Sequence, residues 1–197
     1  MKQPIRLGFA MTGSFCTFAR VLDVLEDMAR SGDYEITPIL SDHAAGMDTR
    51  FGEAAALIAR LAECTGRAPL RTIQQAEPIG PQGLFDVLAV APCTGNTLAK
   101  LAHSIIDTPV AMAVKSHLRR DRPVVLAVST NDGLAGSAAN LGMLLCRRHY
   151  YFVPFGQDAP FAKPRSLVAD MEQLPGTIAA ALRGEQLQPL LLRAGQA

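Results

Sequence analysis

The chain of 197 residues is 49% hydrophobic and carries a formal net charge of +1, which excludes an extended disordered chain and a basic surface built for nucleic acid. That length is generous for a minimal domain and short for two, so a single domain spanning residues 1–197 around one core is expected. Cys16, Cys64, Cys93 and Cys146 form no C-x-x-C pair and no apolar run approaches membrane-spanning length, so reduced, mostly buried thiols, a cytoplasmic location, and small-molecule or protein partners are expected, with no membrane partner.

"IRLGFA" (5–10) predicts a strand, and after the turn "MTGS" the residues Phe18, Val21, Leu22, Leu25, Met28 and Ala29 recur on one helical face that stops at Gly32. "YEITPIL" (34–40) reads as the second strand and "SDHAAGMDT" (41–49) as a polar loop. Phe51, Ala54, Ala55, Ile58, Leu61 and Ala62 then mark a second helical stripe ending near Gly66. Residues 67–84 contain Pro69, Pro78, Gly80, Pro81 and Gly83, too many breakers for a long regular element. "DVLAVAP" (86–92) predicts the third strand, followed by a helix at about 96–106. "PVAMAV" (109–114) and "PVVLAVS" (123–129) read as fourth and fifth buried strands, "SAANLGMLLCRR" (137–148) as a helix and "YYFVP" (150–154) as a last short strand. Residues 166–183 have a helical pattern that Pro175 should kink or split. Apolar strands separated by helices imply an α/β fold, a doubly wound Rossmann-like parallel sheet with helices on both faces.

Such folds bind ligands at the carboxyl ends of their strands. The loops placed there are "TGS", "SDH", "APCTGNT", "KSH" and "STNDG", all rich in small or hydroxylic residues, so this edge reads as a polar ligand site. "TGS" has neither a Walker lysine nor a G-x-G-x-x-G pattern, and by itself it suits a phosphate cradle or a plain strand-to-helix turn equally, with Ser14 as ligand contact or N-cap. In "APCTGNT", Pro92 ends the strand, Gly95 permits close backbone approach, and Thr94, Asn96 and Thr97 present donors at a helix start, where Thr94 or Asn96 also suits an N-cap. His43, His103, His117 and His149 show no metal-ligand spacing, so no metal is expected; His43 and His117 fall on the suspected edge.

Taken together, "GFAMTGSFCTF", "DTRFG", "APCTGNTLAKLA", "RPVVLAVSTNDGL", "NLGMLL" and "YYFVPFGQD" resemble, over nearly the whole chain, the homo-oligomeric flavin-containing Cys decarboxylase superfamily of flavoproteins. "DTRFG" and "FVPFGQD" are similar to its dipicolinate branch. The resemblance implies FMN as cofactor, with Gly13, Ser14 and Thr17 at its phosphate and Pro92, Thr94, Gly95, Asn96 and Thr97 against the flavin ring. Ser41, Ser129 and Asn131 match further contact positions, and a homo-oligomer, a trimer or a multiple of trimers, is implied. A helix start at residues 13–17 favours a dianionic phosphate without any lysine.

Two departures bear on activity. The decarboxylases of the superfamily carry a catalytic His shortly before the strand-three loop, and residues 44–102 contain none here; where those enzymes have Pro-x-Met-Asn, this chain reads "VSTN" and keeps only Asn131. Decarboxylation is therefore disfavoured. The dipicolinate branch implies instead a second, different chain, the A subunit of the synthase, which resembles a nicotinamide-dependent dehydrogenase. The two together would oxidise a dihydropyridine dicarboxylate to dipicolinate for bacterial spores, with the hydride passing to a flavin here or to NAD(P) on the partner. A flavin-fold scaffold that only activates its partner, and a flavin-dependent decarboxylase, are the alternatives. No catalytic residue is assigned. A dicarboxylate calls for cations: Arg50 in "DTRFG" leads, Lys115 follows, then Lys163 and Arg165, which suit ordinary surface charge equally well, while Asp48 is placed to pair with Arg50 and order its loop.

Overall fold

The computed structural model describes residues 3–193. Strand β1 (Ile5–Met11) pairs in parallel with β2 (Tyr34–Leu40) and with β3 (Val87–Cys93). β3 pairs with β4 (Val124–Thr130) and β4 with β5 (Tyr150–Phe152), so the parallel order is β2-β1-β3-β4-β5. Every residue of β3 is buried, as a central strand covered on both faces must be. The order reverses between β1 and β3, which opens a crevice at their carboxyl ends.

A 3-10 turn at Phe15–Thr17 leads into α1 (Phe18–Ser31), which buries Val21, Leu22, Leu25 and Met28. The helix stops at Gly32, whose φ of +75° is the left-handed conformation glycine adopts without a Cβ penalty. The polar loop after β2 begins with a short helix, α2 (Asp42–Gly46), because Ser41 Oγ accepts from the Ala44 N–H at 3.3 Å. The second helical stripe is α3 (Ala54–Thr65), and Phe51 lies outside it on an exposed turn. The breaker-rich stretch holds two single-turn helices, α4 (Ile73–Ala76) and α5 (Ile79–Gln82), and β3 leads into α6 (Gly95–His103).

Three expectations are corrected here. The thiols are not mostly buried: Cys93 is, Cys64 is half-buried, and Cys16 and Cys146 are exposed. "PVAMAV" is not a strand but the start of α7 (Pro109–Leu118). Thr108 Oγ1 accepts from the Ala111 N–H at 3.1 Å and Pro109 occupies the first turn, a pair of helix-start signals that outweighs an apolar run too short to separate the two periods. "KSH" is consequently the last turn of a helix that leads to the amino end of β4, so Lys115 and His117 lie away from the ligand edge. Residues 166–183 are not one helix either. They form β7 (Leu167–Ala169), a 3-10 turn at Met171–Gln173 and α9 (Leu174–Ala181), with Pro175 in the first turn, where its missing N–H leaves no helix bond unmade. β7 runs antiparallel to the end of β4, with Ser129 opposite Val168, and to β6 (Phe155–Gly156). This extension, reached after α8 (Ala138–Leu145) and β5, brings residues 157–166 beside the loop that follows β4, where the Leu134 N–H donates to the Arg165 carbonyl at 2.9 Å. Buried residues from Leu7 to Ala181 form one contiguous apolar cluster.

His117 gives this core a pH dependence. It is 2% exposed, and its Nε2 lies 3.1 Å from the Pro123 carbonyl, to which it donates. Burial pushes its pKa down to about 4 from 6.5, outweighing the bond to Pro123. The unfolded chain therefore takes up a proton below about pH 6.5 that the folded chain refuses until about pH 4, and stability falls as pH drops through that window. At about pH 5 the loss should be roughly 2 kcal/mol relative to pH 7.5. His117→Gln keeps a donor for Pro123 without titrating, so urea unfolding at the two pH values should show a smaller loss for the variant; an equal loss in both proteins would count against this assignment.

Candidate functional site

Three loops are bound to one another at the carboxyl ends of β1, β3 and β4. Thr12, buried just after β1, donates from its N–H and its Oγ1 to the Pro92 carbonyl at 3.2 and 2.7 Å, while its Oγ1 accepts from the Thr94 N–H at 3.1 Å. Thr94 Oγ1 in turn caps α6, accepting from the Thr97 N–H at 3.2 Å and lying 3.0 Å from Thr97 Oγ1. Ser14 Oγ lies 2.7 Å from Ser129 Oγ and so links the first loop to the end of β4.

These contacts frame a cleft of about 930 Å³, a size that suits a nucleotide-like ligand. Gly13, Ser14, Thr17, Thr94, Gly95, Asn96, Ser129 and Asn131 line it, and so does Arg50. Ser41, Pro92 and Thr97 stand behind this lining as supports: Ser41 caps α2, Pro92 holds Thr12, and Thr97 pairs with Thr94. Lys115 is not brought to the cleft; it lies on α7 beside a separate depression of about 650 Å³ shared with Arg147 and Tyr150.

The backbone N–H groups of Gly13, Phe15 and Cys16 donate to nothing among the described residues, and neither do those of Gly95 and Asn96. They sit at the starts of the turn into α1 and of α6, where helix geometry leaves N–H groups without partners and the dipole is positive. A Cβ placed on Gly13 would touch His43 Cβ and the Phe15 ring at 3.5 Å, ordinary van der Waals contact, so no clash within the protein itself requires a glycine there. Gly95 differs. A Cβ there would fall 2.3 Å from Ser137 Oγ and 2.8 Å from both Asp132 Oδ1 and Thr130 Oγ1, so the close approach at this glycine is made by the protein's own loop after β4.

The charges around the cleft are only partly those expected. Arg50 stacks on Phe51, its Cζ 4.8 Å from the ring centroid, and forms no ion pair among the described residues. Asp48 does not pair with it, because Asp48 Oδ1 accepts from the Ala54 N–H at 2.9 Å at the start of α3. Lys163 reaches the cleft paired with Asp158 at 2.8 Å, whereas Arg165 does not line it. Sequence reasoning missed Arg20, 3.8 Å from Asp170, and the carboxylates Asp132 and Asp158. Arg20 was findable as a cation one turn beyond the cradle. Asp158 ends the quoted stretch "FVPFGQD", yet its place in the cleft was not legible, since only the antiparallel β6–β7 return brings its loop here.

Residues 1–143 match the family described as Flavoprotein. The chain is similar to the B subunit of dipicolinate synthase from Bacillus subtilis (strain 168), with 43% identity over 187 residues, which is 95% of this chain and 93% of that one. The crystal structure of the same kind of chain, the B subunit of dipicolinate synthase from Bacillus halodurans C, matches with a TM-score of 0.88 at 41% identity, covering 98% of this chain and 100% of the other. Burkholderia xenovorans DmrB, crystallised in complex with FMN and described as a cubic protein cage for redox transfer, matches with a TM-score of 0.68 at 17% identity over 93% of this chain and 98% of its own; that likeness is one of fold.

Proposed function

The chain belongs to the flavoprotein family, and from that premise we propose that it is the FMN-binding component of a dipicolinate synthase, working with a dehydrogenase-like A subunit to oxidise dihydrodipicolinate to dipicolinate during sporulation. The observation that carries the reading is the cradle at Gly13–Cys16, where N–H groups without an acceptor among the described residues line the cleft beside the Ser14 and Ser129 hydroxyls, with no lysine needed. These groups hold the phosphate. Gly95, Asn96 and Asn131 bound the space for the flavin ring, and a flavin bound there supplies an acceptor for the hydride that a dihydropyridine loses on becoming aromatic. Arg50, with Arg20 and Lys163 in the same cleft, supplies the counter-charge for two carboxylates. No histidine lines the cleft among the described residues, which weighs against the decarboxylase alternative.

The chain works as one unit in the cytoplasm as a homo-oligomer, and NAD(P) on the dehydrogenase-like partner is the alternative hydride acceptor. Phe161, fully exposed between Asp158 and Lys163, and the half-exposed Phe51 offer an apolar contact beside the cleft to that partner or to a second copy. Co-expression of both proteins, with dipicolinate measured in the presence and absence of added FMN, tests the reading. The purified chain should be yellow, and dipicolinate formation should require flavin. Arg50→Lys should raise the apparent KM about tenfold without changing FMN affinity, since the planar fork is lost and the charge kept. Full dipicolinate formation by a colourless chain that cannot take up FMN would instead support the scaffold alternative.

A further inference from the structure

Asp132 lines the cleft from the loop after β4, and its neighbours hold one of its two oxygens firmly. Oδ1 accepts from Thr130 Oγ1 at 2.5 Å and from Ser137 Oγ at 2.9 Å. The Asp132 carbonyl accepts from the N–H groups of Ala135 and Ser137 at 2.8 and 3.2 Å. Two glycines clear the space around the carboxylate, since a Cβ on Gly95 would lie 2.8 Å from Oδ1 and one on Gly136 would lie 3.2 Å from Oδ2. No donor reaches Oδ2 among the described residues. The carboxylate is thus oriented through one oxygen, and the other is left without a donor among the described residues.

Resting on the oxidation reading above, we propose that Asp132 is the catalytic base of that reaction, taking on Oδ2 the proton that a dihydropyridine dicarboxylate must shed as its ring becomes aromatic. Aromatisation removes two ring hydrogens. One leaves as hydride, with its bonding pair, to the flavin or nicotinamide acceptor. The second C–H bond breaks toward Asp132 Oδ2; its electron pair stays in the ring as the π bond to the carbon that lost the hydride, and the proton makes Asp132 a carboxylic acid that later releases it to water. The other ionisable groups facing the cleft have different positions. Cys16 lies in the phosphate turn, Asp158 is tied to Lys163 with its second oxygen buried, and Arg20, Arg50 and Lys163 are cations suited to the substrate carboxylates.

Asp132→Asn separates a proton acceptor from a loop tether. The amide oxygen still accepts from Thr130 and Ser137, so the loop is kept, but no proton can be taken. In the two-component enzyme supplied with FMN and dihydrodipicolinate, kcat should fall about 100-fold or more, with FMN affinity and far-UV circular dichroism unchanged. The flavin-free chain should bind dipicolinate several-fold more tightly as the variant, because a negative charge facing a dianion has been removed. Asp132→Ala should also lose turnover, and added formate should restore part of it. A kcat within threefold of wild type, or loss of turnover accompanied by weakened dipicolinate binding and altered circular dichroism, would overturn the assignment. A wild-type pair that forms no dipicolinate overturns the oxidation reading itself, and this inference with it.

Discussion

Ser14→Asp is expected to lower the affinity of the chain for FMN by at least about 100-fold, roughly 3 kcal/mol, while its far-UV circular dichroism stays unchanged. Ser14 Oγ lies 2.7 Å from Ser129 Oγ on the wall of the cleft, between N–H groups that have no acceptor among the described residues. A carboxylate placed there meets a phosphate dianion in a partly enclosed site, where like charges repel strongly. Gly13→Ala is the companion variant. Its added methyl meets no protein atom nearer than 3.5 Å, so the fold accepts it, and a loss of FMN affinity reports contact between ligand and backbone at that residue. Fluorescence titration of FMN into each protein provides the measurement, and unchanged affinity in both would remove the phosphate from this cradle.

Gly80→Ala is expected to destabilise the chain by about 3 kcal/mol, a drop of roughly 10 °C in Tm. The Gly80 N–H donates to Ser116 Oγ at 2.8 Å, and that hydroxyl donates to the Glu77 carbonyl at 2.6 Å, so α5 is held directly against α7. A Cβ on Gly80 would lie 2.0 Å from the Ser116 carbonyl oxygen. That atom is helix backbone and cannot swing aside, so the two helices must separate and the hydrogen bonds must lengthen. Gly142→Ala on α8 serves as the control, because a Cβ there meets nothing within 4 Å and alanine is the better helix former. Thermal melts should show a large loss for the first variant and none for the second; equal melting temperatures would mean that the α5–α7 contact yields without cost.

The two variants mark the boundary between what could be read locally and what could not. β1, β2, β3, α1 and α3 were legible because each has a strong period and a local stop, Gly32 ending α1 and Gly66, at φ +68°, ending α3. The loops "TGS" and "APCTGNT" were legible as a polar edge because strand ends followed by helix starts place donors there whatever the remaining fold does. Arg50 was recognisable as a cation near that edge, but its stacking on Phe51, and the use of Asp48 to begin α3, depend on how the 47–53 turn closes.

By itself, then, the sequence determined the parallel core and the polar edge at the carboxyl ends of its strands, because local backbone hydrogen bonding and the partition of apolar side chains from water act over a few residues. The tertiary structure decided the rest. "PVAMAV" is apolar enough for a strand or a helix; the Thr108–Pro109 start is a local helix signal, and what the tertiary structure adds is the Gly80–Ser116 contact that holds α7 against α5. "LVA" is too short to show any alternation, and it becomes β7 only because the end of β4 offers unpaired backbone groups beyond the reach of β5. That pairing carries Asp158 and Lys163 to the cleft, and the packing of the loop after β4 against Gly95 presents Asp132 there. Such contacts join residues far apart in the chain, and they form where a free strand edge and a clear volume exist, conditions that no local pattern of residues records.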